Sequence, residues 1–159
     1  MIIKPDNEML SYSGRIDFDD RLAPVLVYAC SSIGMKFTGT SLKAVIVNHR
    51  SCWTNELGYF IDGEQKRFTL SSDEEKKTYT LAENLPEGTH ELLLFKRMDS
   101  CHTFTFYGFE IDDGAKVLAL PEKPKRKMEF FGDSVSCGEV SEAVEYAGNC
   151  LLYTSPSPR

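Results

Sequence analysis

Tyr59-Phe60-Ile61-Asp62-Gly63-Glu64-Gln65-Lys66-Arg67-Phe68-Thr69-Leu70 decides the fold. Tyr59–Ile61 and Gln65–Leu70 are strand-like runs that flank Asp62-Gly63, with Glu64 the one further residue between them. A two-residue β-hairpin of type I′ needs φ > 0 at both central positions, and Asp-Gly supplies that at little steric cost. The segment therefore reads as strand, tight turn, strand.

Outward from this hairpin the same grammar repeats. Tyr12–Phe18 reads Y-S-G-R-I-D-F, with Ile16 and Phe18 alternating against Arg15 and Asp17 at the period of a strand. Pro24–Cys30 is a β-branched and aromatic run. Gly34–Thr38 and Leu42–Val47 flank Gly39-Thr40-Ser41, three residues suited to a turn. Lys77–Leu81 follows, and Pro86-Glu87-Gly88 turns the chain into Thr89–Arg97. Thr103–Ile111, the turn Asp112-Asp113-Gly114 and Lys116–Leu120 complete the series. Nine or ten short strands, evenly punctuated and without helical periodicity, predict an all-β sandwich or jelly roll over residues 1–120. Asp73-Glu74-Glu75-Lys76-Lys77 reads as a solvated loop.

At 159 residues the chain can bury one good core but cannot hold a sandwich and a whole α/β domain as well. Hydrophobic residues make up 42% and charged residues 26%, the balance of a soluble globular protein. The net charge of −6 argues against nucleic-acid or anionic-membrane partners, which are themselves negative. Met1–Glu8 lacks the basic and apolar regions of a secretory leader, so the chain reads either as cytoplasmic or as starting downstream of its true start. The five cysteines, Cys30, Cys52, Cys101, Cys137 and Cys150, show no C-x-x-C spacing; buried, reduced thiols are expected and no metal site.

Composition changes at Pro121-Glu122-Lys123-Pro124-Lys125-Arg126-Lys127, where two prolines and four basic residues predict a stiff linker. Met128-Glu129-Phe130-Phe131 then reads as a brief apolar strand leading into Gly132-Asp133-Ser134. Strand, tight turn and helix onset would open an α/β unit. An acyl-transfer serine must project from such a turn, so that a carbonyl reaches its hydroxyl and the backbone N–H faces the developing oxyanion. Residues 150–159, C-L-L-Y-T-S-P-S-P-R, resemble the translated end of a transposon-based sequencing adapter, so residues 128–149 are taken as the natural remainder.

Several stretches together resemble carbohydrate esterase family 2, a jelly roll joined to an SGNH (GDSL-type) hydrolase domain. They are Y-S-G-R-I-D-F (Tyr12–Phe18), F-T-G-T-S-L (Phe37–Leu42), I-D-G (Ile61–Gly63), L-P-E-G-T-H-E-L (Leu85–Leu92), F-K-R (Phe95–Arg97) and Y-G-F-E-I-D (Tyr107–Asp112). R-K-M-E-F-F-G-D-S-V-S-C-G (Arg126–Gly138) closes the series. The resemblance implies a mostly β chain: a jelly-roll sandwich followed by the first strand and nucleophile turn of an incomplete SGNH domain. It further implies an acetylxylan-esterase-like serine hydrolase that removes O-acetyl groups from xylan-like polysaccharide. Ser134 would be the nucleophile, with its backbone N–H as one oxyanion donor. The family's histidine base and remaining oxyanion donors fall in later blocks, so this chain by itself is expected to be inactive. No cofactor is implied, the partner is an acetylated polysaccharide or oligosaccharide, and a monomer is expected. After Cys137-Gly138 the family commonly continues Tyr-Gly, whereas Glu139-Val140-Ser141-Glu142-Ala143 stand here, making the loop beside the nucleophile more acidic.

His49, His90 and His102 all fall in the sandwich, where ordinary satisfied or surface positions explain them. Trp53 reads as a loop anchor, or as a sugar-stacking aromatic beside Asn48, His49, Arg50 and Asn55. Two other functions fit the same residues: a glycan-binding β-sandwich module, and a GDSL-type esterase or lipase acting on a non-carbohydrate ester.

Overall fold

The computed structural model describes residues 1–50, 54–133 and 136. The chain divides into two units, Met1–Glu122 and Lys123–Arg159. The first unit holds twelve strands: β1 (Ile2–Ile3), β2 (Ser11–Ser13), β3 (Ile16–Asp17), β4 (Val25–Leu26), β5 (Ser32–Thr38), β6 (Leu42–Arg50), β7 (Glu56–Ile61), β8 (Glu64–Thr69), β9 (Lys77–Ala82), β10 (Thr89–Lys96), β11 (His102–Ile111) and β12 (Val117–Leu118). All pairings are antiparallel. One six-stranded sheet runs β3-β4-β11-β6-β9, with β1 also on β11; the other runs β12-β5-β10-β7-β8, with β2 also on β5.

The hairpin forms as its sequence dictates. Asp62 and Gly63 sit at φ 52° and 84°, and β7 pairs with β8 in unbroken register from Glu56↔Thr69 to Ile61↔Glu64. Strand parity then decides what each face buries. Ile33, Met35 and Phe37 of β5, Leu92 and Leu94 of β10, and Leu57, Tyr59 and Ile61 of β7 point into one core. From the other sheet come Leu42, Ala44 and Ile46 of β6 with Phe104, Phe106, Phe109 and Ile111 of β11.

The inward parity of β11 changes between Phe106 and Phe109, because the register to β6 slips at a bulge between Phe106 and Gly108. The bulge lets both rings face inward, 4.7 Å apart between centroids. Gly108 holds φ +126°, and a Cβ there would stand 2.4 Å from the Ile3 carbonyl oxygen of β1. Only glycine fits that crossing.

Several sequence expectations are corrected. Tyr12–Phe18 is not one strand: β2 belongs to the sheet of β5 and β3 to the sheet of β11. Gly14, at φ +97°, lies between them where the chain crosses from one sheet to the other, and alternation alone cannot register such a crossing. Pro24–Cys30 contributes only Val25–Leu26, since the chain turns at Tyr28–Ser31 with Cys30 at φ 64°. Cys30 and Cys101 are exposed rather than buried, both sitting in connections between strands; Cys52, Cys137 and Cys150 lie outside the described residues. Met128–Phe131 is not a strand among the described residues, and Met128, Phe130 and Phe131 are about four-fifths exposed. A strand exists only as part of a hydrogen-bonded ladder.

Candidate functional site

Ser134, the nucleophile expected from sequence, and Trp53 lie outside the described residues, whereas the approach to Ser134 through Asp133 is described. The chemistry that can be built atom by atom lies at the two rims of the sandwich.

β10 shows how the rims arise. Its inward row is His90, Leu92, Leu94 and Lys96, apolar in the middle and polar at each end. At one rim, where β10 ends and β11 begins, Lys96 is fully buried and its ammonium donates to the carbonyls of Met98 and Asp99. A buried ammonium is tolerated only with such partners. Asp99 Oδ1 in turn accepts the Cys101 N–H at 2.9 Å and stands 3.2 Å from His102 Nδ1. Beside them Asn55 Nδ2 donates to Asn48 Oδ1 at 2.8 Å, and Asn48 Nδ2 donates to the Ser71 carbonyl at 2.7 Å. This rim is a polar network that orders the 97–101 and 70–76 connections from inside.

At the opposite rim, Asp112 gathers the turn between β5 and β6. Its Oδ2 accepts the N–H groups of Thr40 (2.5 Å) and Ser41 (3.1 Å) and the Thr40 hydroxyl (3.1 Å), while Oδ1 accepts the Ser41 hydroxyl. The Ser41 hydroxyl and the Thr40 amide, ahead of the smaller contributions, bring the carboxyl down from 3.8 to about 2. Gly39 stands at φ +112°, and a Cβ there would be 2.8 Å from Asp112 Oδ2. Glycine, two hydroxyl residues and a distant aspartate form one clamp.

All three histidines are engaged in the sandwich. His49 Nε2 meets Thr105 Oγ1 at 2.8 Å, His102 meets Asp99, and His90 meets Asp62 Oδ2 at 2.6 Å and the Pro86 carbonyl at 2.9 Å. Sequence reasoning missed Lys96 and Asp112 as organising residues. The signal for Lys96 was present: in H-E-L-L-L-F-K, period two puts residue 96 on the buried face. Asp112 carried no such signal.

Two antiparallel sheets packed face to face around one core define a jelly-roll sandwich. The family model "Carbohydrate esterase 2 N-terminal" matches residues 12–121, and the chain belongs to that family. Cellulase/esterase CelE of Acetivibrio thermocellus is 33% identical over 138 residues, which are 86% of this chain and 16% of that protein. Among solved structures, a family two carbohydrate esterase from Clostridium thermocellum in complex with cellohexaose matches with a TM-score of 0.73 and 31% identity, over 81% of this chain and 38% of that one. An acetyl xylan esterase, Est2A, from Butyrivibrio proteoclasticus shares the fold with a TM-score of 0.77 at 18% identity, over 89% of this chain and 39% of that one. The chain thus spans well under half the length of these relatives, and the family model it matches is that of the N-terminal region of carbohydrate esterase family 2.

Proposed function

We propose that this chain is the N-terminal part of a serine carbohydrate esterase that removes O-acetyl groups from xylan-like polysaccharide. One observation carries the reading: the family match ends at residue 121, and F-F-G-D-S brings a serine to position 134 thirteen residues later. Residues 121–127 serve as the linker and 128–149 open the SGNH domain, with residues 150–159 an adapter-encoded tail. The cellohexaose complex of the Clostridium relative supports an oligosaccharide or polysaccharide as the partner.

In this mechanism Ser134 Oγ attacks the acetyl carbonyl while a histidine takes its proton. The sugar oxygen leaves with that proton, giving acetyl-Ser134, and water then releases acetate and restores the hydroxyl. The Ser134 N–H stabilises the oxyanion. His49, His90 and His102 are held by sandwich partners, so the base comes from another part of the enzyme.

The test is acetate release from acetylated xylan by the full-length enzyme. Ser134→Ala should lower kcat by a factor of about 10⁴–10⁶ with the fold retained, and residues 1–149 should show no Ser134-dependent hydrolysis. An alanine variant that keeps its rate would overturn the assignment of the nucleophile.

A further inference from the structure

His90 sits at the rim opposite Lys96, its side chain about 6% exposed. Nδ1 lies 2.6 Å from Asp62 Oδ2 and Nε2 lies 2.9 Å from the carbonyl oxygen of Pro86. A carbonyl oxygen only accepts. Asp62 is an acceptor as well: its Oδ1 takes the Glu91 N–H at 2.8 Å, the arrangement of an ionised carboxylate. Each ring nitrogen therefore needs its own proton, and the two contacts coexist only in the imidazolium.

The other charged groups nearby are directed elsewhere. Glu91 on β10 faces outward and pairs with Lys36 Nζ of β5 at 2.8 Å. Glu64 on the hairpin pairs with Lys66 at 3.3 Å. Glu83 and Glu87 in the 83–88 loop are exposed, and β5 presents the Phe37 ring, its centroid 5.6 Å from that of His90. Asp62 is the titratable side chain that acts on His90.

We propose that His90 is a proton-operated clamp that, as imidazolium, ties both the β7–β8 turn and the Pro86–Gly88 loop to β10, and on losing one proton lets the loop go while keeping the turn. The order of release follows from the partners. Nδ1–H faces a negative carboxylate and Nε2–H a neutral carbonyl, so the neutral ring keeps the proton on Nδ1. A bare Nε2 then points its lone pair at the Pro86 oxygen, and the contact turns from attraction to repulsion. The Leu85 N–H bond to the Thr40 carbonyl, 2.9 Å, still anchors the start of the loop, which confines the movement to residues 86–88.

Burial pushes His90 down, but the Asp62 hydrogen bond, the Pro86 contact and the Asp62 charge outweigh it and leave the group above its ordinary 6.5. Burial also pushes Asp62 up; the His90 bond, the Glu91 N–H and the His90 charge outweigh that and leave it below 3.8. The His90 contribution is therefore complete below 6.5 and is lost as pH rises through the raised folded value, whereas the Asp62 contribution is lost only in acid.

The 159-residue chain tests this by long-range ¹H–¹⁵N imidazole spectra and amide exchange from about pH 5.5 to 9, in the wild type and in Asp62→Asn. Asparagine tolerates the positive φ of position 62, so the hairpin survives the substitution. At about pH 6 both ring nitrogens should carry protons; on titration Nε2 should lose its proton, with exchange at Glu87–Thr89, taken relative to the intrinsic base-catalysed rate at each pH, rising about tenfold over the same midpoint. Asp62→Asn should move that midpoint down. A bare ring nitrogen at about pH 6 in the wild type, a midpoint unmoved by Asp62→Asn, or loop exchange that ignores the titration would each overturn the clamp. Should Asp62→Asn fail to fold, the wild-type spectra decide by themselves.

Discussion

Asp112→Asn keeps the size and shape of the side chain at the β5–β6 turn while removing its charge. In the wild type this carboxylate accepts from two backbone N–H groups and two hydroxyls. Its fall from 3.8 to about 2 corresponds to roughly 2.5 kcal/mol of preference for the ionised form in the folded state. Partial exposure to solvent reduces that to about 1.5–2 kcal/mol. The new amide turns an N–H toward donors, which adds about 1 kcal/mol of lost hydrogen bonding. A total loss of about 2–3 kcal/mol is expected at neutral pH.

The carboxyl is lowered on folding, so its contribution is present above 3.8 and is lost as pH falls toward about 2. Urea unfolding of both proteins from pH 7 to pH 2, followed by circular dichroism, measures this directly. The two stability curves should lie apart at neutral pH and converge in acid. A variant within about 0.5 kcal/mol of wild type at pH 7, or a constant offset between the curves at every pH, would refute the reasoning.

Two further substitutions test other parts of the sandwich. Gly108→Ala should cost about 2–3 kcal/mol and expose the Ile3 amide to exchange, because the new Cβ meets the β1 carbonyl; Gly114→Ala, also at positive φ but facing open space, should cost only about 1 kcal/mol. Equal losses at the two positions would show that the β1 contact contributes nothing. Lys96→Met should destabilise by about 2–4 kcal/mol and speed amide exchange at residues 98–102, since the carbonyls of Met98 and Asp99 lose their charged donor. Unchanged protection of that loop would place its order elsewhere.

Much of the sandwich was legible in the residues, and the reason is local. Asp62-Gly63 fixes a hairpin through the φ values those two residues accept, and alternation along β10 states which side chains it buries, His90 and Lys96 included. Ser134 was nameable as a candidate nucleophile from the resemblance of Phe-Phe-Gly-Asp-Ser and lies outside the described residues, while His49, His90 and His102 are each engaged within the sandwich. Tyr12–Phe18 was misread as one strand since period two describes a face and says nothing of which sheet receives it.

Turn chemistry, strand parity and the identity of the motifs are properties of neighbouring residues, and the sequence by itself determined them. Only the tertiary structure could decide that F-T-G-T-S-L and Y-G-F-E-I-D are halves of one device, with Asp112 reaching back some seventy positions to Thr40 and Ser41. A carboxylate finds its donors by proximity in space, and that proximity is created by the pairing of β6 with β11, a contact that no local pattern encodes.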